Sequence, residues 1–195
     1  GTKTSECEKG QGVVDDSGRL QGGAMTIAES SQRLIELGFE VVGIEPDPNE
    51  TYLANLALIK DKIKVVQADL RDIASLERVF KGQKFDLVFN LGAFSHVGRS
   101  FRNPGETAKA TGEGLNNLVA AMRSVWPKEW HNTVRIYQAS SSEMFGDVSR
   151  TETPQTELTL LNPVSPYAVA KVASYWVARN LRNQGLFVAN GILFN

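Results

Sequence analysis

The sequence has a single cysteine, Cys7, so no disulfide can form within the chain. That thiol sits in a polar, Gly-rich opening with nothing to favour a thiolate, and it reads as inert. No apolar run approaches the ~20 residues that a membrane span needs. No signal-peptide pattern of basic start, apolar stretch and small-residue cleavage site opens the chain. Neither charge is in excess: 21 basic residues face 22 acidic ones, for a net charge of −1. That balance removes the electrostatic case for nucleic acid or an anionic membrane. A cytoplasmic location is expected, with no metal, nucleic-acid or membrane partner. What the chain does have is 195 residues, 42% hydrophobic and 22% charged, which suits one compact domain with a real core.

From about Thr26 onward, helical and strand patterns alternate. Ile27, Leu34, Ile35 and Leu37 mark one face of a helix that ends at Gly38. Phe39 to Ile44 then reads as a buried strand. Tyr52 to Ile59 is helical in pattern, Ile63 to Gln67 a strand, Ile73 to Phe80 a helix, and Phe85 to Asn90 a strand. Pro104 opens a long helical segment to about Val125, with Asn103 as its cap. Thr133 to Ala139 is a strand, Pro166 to about Asn183 a helix, and Leu186 to Phe194 a last strand. Strands spaced by such helices predict right-handed crossovers and a parallel sheet covered on both faces. The expected fold class is α/β, a Rossmann-like doubly wound parallel sheet, over residues 26–195. Residues 1–25 read as an atypical amino-terminal segment. A doubly wound nucleotide fold should begin with an apolar strand, and Val13-Val14 is the only apolar pair available there.

Two constellations carry chemistry. Tyr167 and Lys171 lie at i and i+4 of the predicted helix, so phenol and ammonium can face one cleft. An unperturbed phenol, with a pKa of ~10, is a poor base at neutral pH. A neighbouring cation favours its ionised form. Ser140-Ser141-Ser142-Glu143 follows the strand Thr133–Ala139 at its carboxyl end, where open α/β sheets bind ligands. Strand-like alternation predicts Ser141 and Glu143 on the same side, a hydroxyl beside a carboxylate. His96 and His131 read as turn and loop residues outside the acid–base chemistry. Trp126, Trp130 and Trp176 read as packing anchors.

A serine-rich strand end followed by Tyr167 and Lys171 at the next helix start resembles the extended short-chain dehydrogenase/reductase family. Tyr137 to Gly146, Asn162 to Tyr167, Asn190 to Asn195, Asn90 to Val97 and Ala68 to Asp72 resemble most closely its GDP-mannose 4,6-dehydratase group. The likeness runs over about residues 34–195, with the motifs in the same order and spacing. It implies a nucleotide-sugar substrate and a bound NAD or NADP that is recycled rather than consumed. It implies that Tyr167 is the base for the sugar 4-hydroxyl, that Lys171 lowers its pKa and holds the cofactor ribose, and that Ser141, where the family usually has threonine, bonds the substrate. Glu143 would take the C5 proton and help water leave from C6. Asp69 and Leu70 would line the adenine pocket, and Leu91, Gly92, Ala93 and Ser95 the loop beside the cofactor, with Phe94 replacing a usual glutamine. Asn195 would lie on the substrate side. A homodimer built from the helix after Asn103 and the helix bearing Tyr167 is implied by analogy alone.

The chain also departs from that pattern. Three glycines at three-residue spacing would fall at Gln21, Ala24 and Ile27, and none is glycine. Gly22 and Gly23 are the nearest candidates for a shifted phosphate loop, with a plain turn as the alternative. Glu45 ends the second strand, where an acid accepts from a ribose 2′-hydroxyl and repels a 2′-phosphate. That favours NAD, whereas the resembled group usually carries basic residues there and takes NADP. The resembled enzymes also continue with more strands and a smaller carboxyl-terminal region that closes over the sugar, expected to be largely absent here. An epimerase or decarboxylase on the same scaffold, and a non-catalytic Rossmann module, stand as alternatives.

Overall fold

The computed structural model describes residues 11–15, in backbone only, together with 27–49, 56–148 and 154–194. Six strands form one parallel sheet: β1 (Gln11–Asp15), β2 (Glu40–Glu45), β3 (Ile63–Gln67), β4 (Leu87–Asn90), β5 (Arg135–Ser141) and β6 (Phe187–Leu193). Their order is β3-β2-β1-β4-β5-β6, the doubly wound arrangement in which a crevice opens where the winding reverses.

The first surprise is β1. It falls inside the polar opening that pattern alone sets apart, yet it takes a central place, with Val13 opposite Val42 of β2 and Val88 of β4. Five residues with one apolar pair carry no periodic signal. Parallel partners on both sides supply the pairing instead.

Helix α1 (Ile27–Glu36) ends as its sequence predicts. Gly38 adopts φ 88°, and the N–H groups of Gly38 and Phe39 donate to Ile35 and Leu34 at 2.9 and 3.0 Å. Helix α2 (Ile73–Phe80) is capped by Asp72, whose carboxylate accepts from the Ala74 N–H. The predicted helix over Tyr52–Ile59 differs. In its described part, Ile59 and Lys62 donate to the carbonyls three residues earlier, giving a run of turns that buries Leu56 and Ile59.

The long segment after Asn103 is broken. A short helix α3 (Val97–Ser100), capped by the His96 ring, precedes α4 (Pro104–Thr107). A π-turn over Ala108–Gly112 follows, then α5 (Gly114–Val125). Close packing fits glycine at Gly114, where a β-carbon would stand 3.0 Å from Leu70, while Gly112 lies in ordinary contact with Ala170 of α6 (Pro166–Asn183).

The larger core lies between the sheet and α2, α5 and α6, with Ile44, Leu76, Phe80, Leu115, Leu118 and Ile136 fully buried. Trp126 anchors one end, packed edge-on to Phe80 with centroids 5.4 Å apart and its Nε1–H donating to the Phe80 carbonyl. Trp176, by contrast, is on the exposed side of α6 beneath Arg179. The opposite face of the sheet packs Ile27, Leu34, Val41, Leu91 and Ala139. Among the described residues no helix is long and apolar enough to cross a membrane.

Candidate active site

Strand β5 runs two residues further than its pattern suggests and carries Ser140 and Ser141 into the sheet itself. The chain then turns sharply into a 3-10 turn over Ser142–Phe145, with Ser141 as its cap: the hydroxyl accepts from the Glu143 N–H at 3.2 Å. Ser141 and Glu143 therefore come together through a capped turn, not through strand alternation. The turn closes at Gly146, φ 63° and ψ −148°, where a β-carbon would stand 1.9 Å from the Asn162 carbonyl oxygen. Asn162 in turn donates its N–H to the Met144 carbonyl at 2.9 Å. The strap from Asn162 to Ser165 thus leads directly from the Glu143 turn to the start of α6.

Ser165 caps that helix, accepting from the Ala168 N–H at 3.0 Å, and Pro166 occupies the first turn, where no donor is needed. The Tyr167 N–H donates to the Ser100 hydroxyl at 3.2 Å. Ser100 escapes a sequence reading because its partner is far along the chain. So placed, Tyr167 is buried with its phenol beside the Ser141 hydroxyl. Its pKa is raised, chiefly by burial and further by the nearby Glu143 charge, with the Ser141 hydroxyl pulling the other way.

One helical turn later Lys171 is also buried, its Nζ donating to the Ala139 carbonyl at 2.7 Å and standing 5.7 Å from the centroid of the Tyr167 ring. Burial brings its pKa down to about 8. The ammonium is thus held by β5 backbone, beside the phenol rather than bonded to it. The same carbonyl accepts from the Gln138 side chain, which also accepts from Asn90 at 2.7 Å. Neither Gln138 nor Asn90 carries a sequence signal for this chain of bonds.

At the other end of the sheet edge, one carboxylate oxygen of Glu45, Oε2, is buried without a hydrogen-bond partner. Burial is the main cause raising its pKa, and the Asp47 and Asp69 charges add to it. Asp69 is held low by hydrogen bonds from Arg71. Leu70 is buried, with its carbonyl accepting from Asn117 at 2.9 Å. Leu91, Gly92 and Ala93 are buried after β4 while Ser95 is half-buried. Gly22, Gly23 and Asn195, like Cys7, lie outside the described residues. Among the described residues no three His, Cys, Asp or Glu side chains are placed to hold a metal ion.

A doubly wound sheet with Ser141, Tyr167 and Lys171 at its carboxyl edge defines an extended short-chain dehydrogenase/reductase. The chain belongs to the GDP-mannose 4,6 dehydratase family, whose model matches residues 28–195. It is 45% identical over 128 residues to a GDP-mannose 4,6-dehydratase of Vibrio cholerae, covering 65% of this chain and 33% of that one. It is 37% identical over 171 residues to the human GDP-mannose 4,6 dehydratase, covering 83% and 45%. The chain therefore spans less than half the length of these curated relatives. Among solved structures, a dTDP-glucose 4,6-dehydratase of Streptomyces venezuelae with NAD bound is 25% identical, with a TM-score of 0.74 over 93% of this chain and 55% of that one. A UDP-glucose 4-epimerase of Brucella ovis, 20% identical with a TM-score of 0.75 over 95% and 52%, shares the fold.

Proposed function

We propose that this chain carries the dinucleotide and acid–base half of a nucleotide-sugar 4,6-dehydratase that converts GDP-mannose to its 4-keto-6-deoxy product. The observation that carries this reading is the buried Tyr167 phenol beside the Ser141 hydroxyl, with Glu143 in the turn that Ser141 caps and its charge felt by the phenol. Epimerization needs only the first two. A dehydration also needs a group for the proton on the neighbouring carbon, which is what favours this reading over the epimerase alternative.

The residues fit a dinucleotide. A buried Glu45 oxygen without a partner stands where a ribose hydroxyl would donate. Asp69, Leu70, Leu91, Gly92, Ala93, Ser95 and Lys171 border the same sheet edge, and Gly22 and Gly23 stay assigned to the phosphates by resemblance. A nicotinamide held there would supply a hydride acceptor for C4 of the sugar and a hydride donor for C6.

Tyr167 takes the proton of the sugar 4-hydroxyl while Ser141 donates to the same oxygen, so the developing ketone is held between them. That ketone acidifies the C5 hydrogen. Glu143 accepts the C5 proton and delivers it to the departing 6-hydroxyl, which leaves as water; as hydride reaches C6, C5 takes a proton back, balancing the one Tyr167 removed from the 4-hydroxyl. Lys171, anchored on Ala139, keeps positive charge beneath the phenol. Its lowered pKa means that the charge is present below about 8. Asn195 is assigned to the sugar side by resemblance.

We read the cofactor as NAD. Glu45, Asp47 and Asp69 would repel a 2′-phosphate, and the chain has no basic residue among Pro46-Asp47-Pro48. Titration calorimetry with each dinucleotide checks this: micromolar NAD and at least tenfold weaker NADP are expected. Equal affinities would contradict the choice of NAD, and no binding of either favours a non-catalytic module. Incubation with GDP-mannose and mass analysis of the product tests the reaction. A product lighter by one water supports it, and unchanged sugar overturns it.

We also read a homodimer, from the resemblance and from Phe101, Val169 and Trp176, which stand exposed on α6 and beside α3. Sedimentation of the Trp176→Glu variant as a monomer, against a dimeric parent, is the expected result.

A further inference from the structure

The adenine end of the proposed groove is organised by a residue that neither the motifs nor the resemblance assigns. Asp69 lies on a loop whose backbone is already fixed: its N–H donates to the Ser75 hydroxyl at 3.0 Å, and the next residue, Leu70, is clamped by Asn117 and by close packing against Gly114. Only the Asp69 carboxylate retains freedom, and Arg71 removes it. The Arg71 Nε donates to the two Asp69 oxygens at 2.9 and 3.1 Å, and its backbone N–H donates to Oδ1 at 2.8 Å.

The same guanidinium donates to Glu106 on α4. It also lies over the ring of Phe94, 5.6 Å from the centroid. Phe94 is held in turn, its N–H donating to the Thr111 hydroxyl at 3.0 Å. One side chain therefore ties together the loop after β3, the loop after β4 and α4. An exposed ion pair contributes little stability. A bidentate pair laid against an aromatic face instead fixes direction. Phe94, where the resembled enzymes usually have glutamine, supplies that face.

We propose that Arg71 is a positioning residue that sets base specificity at the adenine end, holding the Asp69 carboxylate as a fixed acceptor so that a 6-amino purine is taken and a 6-oxo purine refused. An exocyclic amine donates to a carboxylate, whereas a 6-oxo group turns lone pairs toward it. A fixed acceptor cannot rotate away or take water to relieve that repulsion, and a free one can. The inference rests on the dinucleotide reading above.

The test is titration calorimetry of this chain with NAD and with its 6-oxo analogue, nicotinamide hypoxanthine dinucleotide. The parent is expected to prefer NAD by roughly tenfold or more. Arg71→Met is expected to bring the two affinities within about threefold of each other, mainly by weakening NAD. Glu106→Gln keeps the Asp69 contact and should keep the preference, which separates positioning from a general loosening of the loop. Thermal melting of each variant within a few degrees of the parent is part of the expected result. An unchanged preference in Arg71→Met, or no preference in the parent, overturns the inference while leaving the dinucleotide reading in place. A parent that binds neither dinucleotide overturns both.

Discussion

At the β5 end of the sheet edge, polar side chains are held by backbone: Ser141 by the Glu143 N–H, Lys171 by the Ala139 carbonyl, and Tyr167 by a helix start capped at Ser165. At the β2–β3 end they are held by one another, with Asp69 and Glu106 sharing Arg71 and Glu45 left with an unpartnered oxygen. Backbone-held groups keep their geometry when neighbouring side chains change. Charge-held groups depend on which neighbours are present.

The largest expected effect sharpens that contrast at Gly146. A β-carbon there would fall 1.9 Å from the Asn162 carbonyl, at φ 63°. Gly146→Ala should cost about 3 kcal/mol or more in denaturant unfolding. Gly38→Ala, at φ 88° with nothing within 4 Å, should cost only about 1 kcal/mol. Equal costs would mean that the strap does not close on the Glu143 turn.

Next comes Lys171, whose buried amine falls from 10.5 to about 8. Because the folded pKa lies below the unfolded one, the folded state binds fewer protons across that window. Its penalty is fully present below about pH 8 and disappears as pH rises toward 10.5. Lys171→Met should therefore raise stability at neutral pH by about 2–3 kcal/mol, with the gain vanishing in alkaline solution. Gln138 still donates to the Ala139 carbonyl, so no acceptor is orphaned. A loss of stability at neutral pH would show that the ammonium is held better than its burial implies. Activity should be lost in either case.

Ser141 offers a smaller and more chemical test. Ser141→Ala should lower turnover by roughly 100-fold, since a donor to the developing ketone is removed. Ser141→Thr, which keeps the hydroxyl, should stay within a few-fold. Steady-state rates decide it, and equal losses in both would point to packing rather than hydrogen bonding.

The smallest effect lies at Glu45, half-exposed and raised mainly by burial. Glu45→Gln should stabilise the cofactor-free chain by well under 1 kcal/mol after allowance for solvent screening. The gain should be absent below the ordinary carboxylate pKa, grow as pH rises through it, and be complete above the raised folded pKa. The same variant should narrow the gap between NAD and NADP affinities.

Much of this was legible beforehand. Ile63–Gln67, Ile73–Phe80 and Pro166–Asn183 have the limits that periodicity and capping residues predict, and Tyr167 and Lys171 meet as i, i+4 spacing requires. Local signals carry local structure. Strand β1 was not legible because its pairing comes from neighbours on both sides, and the π-turn at Ala108–Gly112 because its contact with Ala170 depends on a distant helix. Ser141 and Glu143 are joined by a cap, the Glu143 N–H donating to the Ser141 hydroxyl, and not by the strand alternation that the sequence suggests. Arg71, Ser100 and Gly146 act through partners far along the chain, at Glu106, Tyr167 and Asn162.

The most direct measurement follows a deuterium placed on C4 of GDP-mannose through the reaction with this chain and NAD. Ser141, Tyr167 and Glu143 acting together on one bound sugar require the label to reappear on C6 of a 4-keto-6-deoxy product, without dilution by solvent. Label returned to C4, exchanged into water, or still on unconverted mannose would contradict the account.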